Sequence, residues 1–509
     1  MNRFSAESVS VRSARHANQR KATSTMKIER RKPLTARVGI LSVGHHVYWD
    51  QFEGLRDDML AKSSILEDKA ASHGVEVINF GLADEAQSAY AVLPKIRAAD
   101  LDLLMVDMVT YATSSTFGVL IRALDIPLVL VALQPLSALD YANATTYMQL
   151  KNDDFCSVPE FAAVAVRMGK QPPEVIIGTL HDDPTAEAEI AEWCRVAKVY
   201  HSLRNARIGL MGHVLEAMLD MHTDPTALTA AFGSHVVLCE PEDILRHYQD
   251  PDPALVRAKA DEIVRFFNTP DPVSDPITMK LTDGDLDTAA RAAVALDGFV
   301  EEKQLDGLAY YYEGLPGSDV RTVMTNLTVG NSLLQAAGFP MCGEFDIKTC
   351  VAMMVMDRMD IGGSFAEFHP IDFDRDAVLV GHDGPHHINI AEGKPSIRSL
   401  RKYHGKPGSG ASVEFNIKEG PITMLGNTVT ADGKFKFVIS EGESLRLPVP
   451  PTGNTNTLGR FRPDIRTFLK RWVAEAPTHH YALGVGHHAH TIKKVADVLG
   501  IESVIVSQD

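Results

Sequence analysis

Residues 36–44 read ARVGILSVG, a run of small and branched apolar side chains that stops at Gly44 and leads into His45, His46 and a helical pattern from Trp49. The theme recurs in VEVINFG (75–81), LDLLMVDMVTY (101–111) and IPLVLVALQP (126–135), with helix-like segments such as AQSAYAVLPKIRAA between them. Continuous apolar strands separated by helices need cover on both sheet faces. They predict a parallel, doubly wound α/β domain with ligands at the carboxyl ends of its strands. There the chain offers His45, His46 and Gln134, polar groups suited to hydroxyls; a plain turn-capping role is the other reading for the two histidines. No G-x-G-x-x-G follows the first strand, so an ordinary dinucleotide cradle is not expected.

Working outward, PEVIIGTL (173–180), NARIGLMGH (205–213), SHVVLCEPEDILRHY (234–248) and LDGLAYYYEG (305–314) read as a second α/β unit whose late strand delivers Glu313 at its end. The Asp- and Pro-rich stretch from Asn268 to Pro276 reads as a loop. Beyond Gly343 the pattern changes. A helix, FDIKTCVAMMVMDRM, carries a methionine cluster that suits core filling. ASVEFNIK, ITMLGNTVT and GKFKFVIS then alternate, and Asp432-Gly433 between the last two is a hairpin signal. TIKKVADVLG followed by IESVIV closes the chain as helix and strand. The expected organisation is a disordered basic tail (1–33), an N-terminal α/β domain (34–175), a central α/β domain (176–342) and a β-rich, barrel-like C-terminal domain (343–509).

The chain has 509 residues, more than one core normally organises, and its 45% hydrophobic and 23% charged residues are ordinary for a globular protein. A formal net charge of -16 argues against nucleic acid or an anionic membrane as partner. The five cysteines (Cys156, Cys194, Cys239, Cys342, Cys350) lack any C-x-x-C spacing, so neither a zinc-thiolate site nor a disulfide framework is expected, and a cytoplasmic location fits. No apolar run reaches the ~18 residues a membrane span needs. The leader carries Arg3, Arg12, Arg15, Arg20, Lys21, Arg30, Arg31 and Lys32 against Glu7 and Glu29; it reads as a tail, with Met26 as an alternative start.

Chemistry-bearing residues concentrate late, ten of the twenty histidines lying between His369 and His490. Glu313 (YYYEG) and Glu344 (CGEFD) sit beside glycines and apolar residues at element ends rather than in charge runs. GHDGPHH (381–387) packs His382, Asp383, His386 and His387 into one tight loop, as pocket lining or as a hydrogen-bonded turn. His487-His488 follows an apolar strand. A Glu/His/Asp set without thiolates suits Mn²⁺, Co²⁺, Mg²⁺ or Fe²⁺ better than structural zinc.

The order of these units, with Glu313, GEFDIK, GGSF-x-E, VLVGH and the late Gly-His-His, resembles the L-arabinose isomerase and L-fucose isomerase superfamily. The likeness runs through most of residues 36–509, with its motifs confined to the last two hundred or so. It implies an aldose/ketose isomerase for a pentose or 6-deoxyhexose, working through a cis-enediol with a divalent cation, Mn²⁺ first and Co²⁺ or Mg²⁺ next. By the same resemblance Glu313, Glu344, Asp372 and His488 would hold the metal, with Glu313 and Glu344 the acid/base pair. Gln134, His45, His369, His382 and His487 would contact the sugar. Asp372 stands where arabinose isomerases carry a histidine, and GHDGPHH departs from them, which suggests a sister group. Homo-trimers or homo-hexamers are implied. A non-catalytic sugar-binding protein and an epimerase are the alternatives on the same fold.

Overall fold

The computed structural model describes residues 28–270, 280–384, 386–399, 402–403, 406–407, 410–446 and 455–507. Most of the basic leader, and the part of the Asp/Pro-rich loop from residue 271 on, therefore lie outside the described residues. The end of the leader is not loose. Arg30 reaches the buried Asp357 carboxylate at 2.6 Å, and the Arg31 amide donates to Ala337 O at 2.8 Å. A buried carboxylate needs a counter-charge, and the chain supplies one from this strap.

The first sheet holds β1 (Arg37–Val43), β2 (Glu76–Ala83), β3 (Leu103–Met108), β4 (Leu128–Gln134) and β5 (Glu174–Thr179), parallel in the order β2-β1-β3-β4-β5. Its order reverses between β1 and β3, which is where a doubly wound sheet opens its ligand crevice. PEVIIGTL supplies β5 and pairs with β4, so the first domain extends past residue 175 instead of ending there. The second sheet, β6 (Arg207–Met211), β7 (His235–Cys239), β8 (Gly307–Tyr310) and β9 (Met341–Cys342), is parallel in the order β7-β6-β8-β9. Its carboxyl edge carries His213, Glu313 and Glu344.

The C-terminal part closes a six-stranded barrel from β10 (Gly362–Asp372), β11 (Ala377–His382), Gly420–Val429, Phe435–Leu445, Thr455–Phe461 and Tyr481–Val485, the last contact joining Phe435–Leu445 to Thr455–Phe461. The expected hairpin is present, with Gly433 at φ 81° in its turn. The helix Ile347–Arg358 is buried along its whole length, and Met353, Met354 and Met356 fill the core beneath the barrel as expected. Among the described residues no helix is long and apolar enough to cross a membrane.

Register decides what meets at the barrel end. Glu367 lies opposite Gly381, and Ala366 opposite Tyr481, so the residues just beyond those partners, His382 and His480, flank Glu367 from the two neighbouring strands. The GGSF motif lets β10 start there. Gly363 has φ 105°, and a Cβ on it would stand 2.7 Å from Met353 O in the adjoining helix. Gly363→Ala is therefore expected to cost about 1–3 kcal/mol, measured as a lower urea midpoint; an unchanged midpoint would contradict this packing.

Candidate metal centre

Glu344 follows β9 in a tight turn where both it and Phe345 adopt left-handed backbone, φ 61° and 64°. That conformation is costly for side chains of this size and typical of sites where geometry is imposed. It aims the Glu344 carboxylate at the barrel end. His480 Nε2 lies 3.5 Å from Glu344 Oε2, His382 Nε2 lies 3.9 Å from Glu344 Oε1, and Glu367 Oε1 lies 4.0 Å from His382 Nε2. The Phe365 ring wedges between the two imidazoles, with centroids 4.4 Å from His382 and 4.3 Å from His480. Phe365 and Glu367 are two apart on one strand and so share a face.

Both imidazoles are held by their far nitrogen. His480 Nδ1 bonds Asp346 Oδ2 at 3.1 Å, and Asp346 is itself fixed by the Thr349 amide (3.1 Å) and hydroxyl (2.7 Å) at the start of the helix Ile347–Arg358. His382 Nδ1 donates to the Asp383 carbonyl at 2.7 Å. Each ring thus keeps Nε2 for the site, which is how metal-ligating histidines are oriented. Glu344 Oε2 and His480 Nε2 are buried and find no hydrogen-bond partner among the described residues, as is true of His369 Nε2, 4.0 Å from Glu367 Oε1.

Electrostatics follow burial. Burial raises the Glu344 pKa above its usual value despite the nearby His480 and His479. His382 is driven well below the histidine range by burial and then by His480. For His480 burial also disfavours the proton, but the bond and charge of Asp346, with Glu344 and Glu367, outweigh it and raise the pKa.

Two overlapping groups have ligand atoms all within 4.8 Å of one another: Glu344, His479 and His480, and Glu367, His382 and His480. Two buried imidazoles and two partly buried carboxylates are a composition that suits a hard divalent cation. Glu344, Glu367, His382 and His480 fit such an ion.

The structure does not bring all four expected ligands together. Asp372 lies at the exposed far end of β10, where its carboxylate accepts from Arg375 N (3.0 Å) and Nη1 (2.9 Å). Five residues of strand put it roughly 16 Å from Glu367. His488 sits at the opposite end of strand Tyr481–Val485 from His480, its amide on Thr423 Oγ1 at 3.0 Å. Its neighbour His487 faces Gly442 O at 3.1 Å and Glu443 at 3.5 Å. Glu313 shares the rim with Glu344 but pairs with Arg321 at 3.1 Å and Tyr311 at 3.5 Å. Among the expected sugar contacts, His382 enters the ligand set and His369 lies beside it. Gln134 donates to Leu136 O at 2.6 Å at the end of β4. His45 lies 5.9 Å from Tyr111 (ring centroids) in the first sheet's crevice. Glu367, Asp346 and His480 had not been picked out from sequence, although GGSF-x-E contains Glu367.

The model of the L-fucose isomerase C-terminal domain matches residues 394–506, which include His480. A protein named L-arabinose isomerase from Nocardioides sp. is 25% identical over 431 residues, covering 81% of this chain and 84% of its own length. Others of that name, from a Shewanella sp. and Cellvibrio japonicus, are 24% and 22% identical; their alignments cover 69% and 76% of this chain and 69% and 77% of the relatives. A solved ABC transporter solute binding protein from Agrobacterium vitis covers 63% of this chain and 89% of its own, but its TM-score of 0.16 and 12% identity carry no weight. The aligned relatives, the α/β sheets and the terminal barrel agree: this chain is similar over most of its length to L-arabinose isomerases, and over residues 394–506 to the C-terminal domain of L-fucose isomerases.

Proposed function

We propose that the protein is a divalent-metal-dependent aldose/ketose isomerase, with Glu344, Glu367, His382 and His480 holding the ion, Mn²⁺ first among the candidates. The observation that carries this reading is the convergence of four side chains whose facing atoms lie 3.5–4.0 Å apart, two of those atoms, Glu344 Oε2 and His480 Nε2, being buried with no hydrogen-bond partner among the described residues. A cation there would act as a Lewis acid toward the carbonyl of a sugar bound through neighbouring oxygens. The chain's own groups supply the proton traffic. Glu344, made more basic by burial, takes the C2 proton of the aldose and returns it to C1 after a cis-enediol. Glu367 carries the hydroxyl proton from O2 to O1, so hydrogens balance and the carbonyl moves from C1 to C2. Phe365 keeps water from one flank.

The substrate class is a pentose or 6-deoxyhexose. Copies of the chain would associate as trimers or hexamers, bringing the crevice of His45 and Tyr111 toward a neighbour's site. Five unpaired cysteines suit a reducing compartment such as the cytoplasm. The test is ketose formation from a panel of pentoses and 6-deoxyhexoses, L-arabinose included, with Mn²⁺ and with chelator. Activity that chelator abolishes and Mn²⁺ restores is expected; sugar binding indifferent to chelator, without turnover, would refute it.

Affinity for the ion should depend on pH. Asp346, Glu344 and Glu367 raise the His480 pKa above the ordinary histidine value, so the proton that must leave Nε2 before the nitrogen can ligate is held more tightly than on a free imidazole. Mn²⁺ affinity is therefore expected to climb as pH rises through and above 6.5, the ordinary histidine value. Calorimetry in two buffers of different ionisation enthalpy should detect proton release. Affinity that stays flat between about pH 6 and about pH 8 would be inconsistent with His480 as ligand.

A further inference from the structure

One imidazole at the rim lies outside the four-donor set and is held from another domain. His479 precedes His480, with ring centroids 3.8 Å apart, and one of its ring nitrogens lies within 4.8 Å of ligand atoms of both Glu344 and His480. Unlike His480, which is buried, it is exposed to solvent. Its partner comes from the loop after β6: Asp220 Oδ2 accepts from the His479 amide at 3.0 Å and lies 2.7 Å from His479 Nδ1. This is the same carboxylate–imidazole arrangement as Asp346 with His480, built a second time from a different element.

The loop carrying Asp220 is anchored independently of that carboxylate. Lys348, two residues after Asp346, donates from Nζ to Asp220 O (2.8 Å), His222 O (3.5 Å) and Thr223 Oγ1 (3.0 Å). One turn, Asp346 to Lys348, therefore registers both the His480 ring and the loop that sets His479. Removing the Asp220 side chain leaves the carbonyl contacts that hold its backbone.

We propose that His479 contacts the substrate and that Asp220 is its positioning residue. Asp220 holds the proton on Nδ1, which leaves Nε2 to accept a hydrogen bond from a substrate hydroxyl at the rim. Among the described residues none is hydrogen-bonded to that nitrogen. The inference rests on the isomerase reading of the neighbouring site. It assigns the central domain's loop a part in sugar selection, since a site that accepts a hydroxyl discriminates against a sugar lacking or inverting it.

The test is steady-state kinetics and Mn²⁺ titration of wild type, Asp220→Ala, His479→Ala, the double variant and Asp220→Asn. One lost hydrogen bond to a hydroxyl predicts a KM about tenfold higher in each Ala variant. The double variant should be no worse than His479→Ala alone, because Asp220 acts through that ring. Mn²⁺ affinity should stay within about threefold of wild type, and Asp220→Asn, which keeps an acceptor oxygen, should recover most of the loss. Wild-type KM in Asp220→Ala would overturn the proposal, as would losses that multiply in the double variant. A matching fall in Mn²⁺ affinity would also overturn it, by making His479 a ligand. Wild-type protein that neither binds Mn²⁺ nor isomerises a sugar would instead remove the isomerase reading, and this proposal with it.

Discussion

Glu367→Gln is expected to lower kcat/KM by about a thousandfold or more while the protein stays folded. The substitution keeps the volume and one oxygen but removes both the charge that helps hold a cation and the basicity that moves a hydroxyl proton. A positioned acid or base contributes ~10² to 10⁴-fold on its own, and here the same group also serves the ion. Glu344→Gln should be as severe, since Glu344 faces His382 at 3.9 Å and His480 at 3.5 Å. Glu313→Gln is the informative contrast. Its carboxylate is engaged by Arg321 and Tyr311, so a loss below about tenfold, with Mn²⁺ affinity intact, is expected there. Silencing by Glu313→Gln together with near-normal rates in Glu367→Gln would restore the acid/base pair implied by sequence resemblance and reject the one built here.

The second large effect is expected one layer out. Asp346→Ala should weaken Mn²⁺ binding by about 10–100-fold, the usual consequence of removing the partner that orients a ligating histidine. The cause is specific: Asp346 is fully buried, and His480 loses its Nδ1 acceptor. The same substitution removes the cap that accepts from the Thr349 amide, at a further cost of about 1 kcal/mol in stability. The two consequences separate experimentally, because a stability loss alone would lower the thermal midpoint without changing Mn²⁺ affinity at temperatures where the protein is folded. Asp372→Asn, at the exposed end of β10, is expected to change neither.

Much of the architecture was legible because each unit has a strong local signal. The strands of the first sheet are apolar runs, Gly433 marks its hairpin, and Gly500 ends its helix with φ 69°. The site was only half legible. Glu344 announces itself by the glycine turn before it, but His480 and His488 are equal candidates along the chain, each the second member of a His-His pair. They flank one five-residue strand, and only barrel register, Ala366 opposite Tyr481, says which end faces Glu367. Register is a tertiary property set by cross-strand packing. The same holds for His382, placed by Glu367 opposite Gly381. The β5 boundary was missed for a related reason: a strand's own residues do not say which sheet it joins.

The central claim is that one ion is held by donors from two barrel strands, the residue just before a third, and the turn after β9. The most direct measurement is an anomalous difference map, recorded at the manganese edge, from crystals grown with Mn²⁺. A single strong peak within bonding distance of Glu344, Glu367, His382 and His480 is the predicted result. A peak beside Asp372 or His488, or none near Glu344, would contradict it.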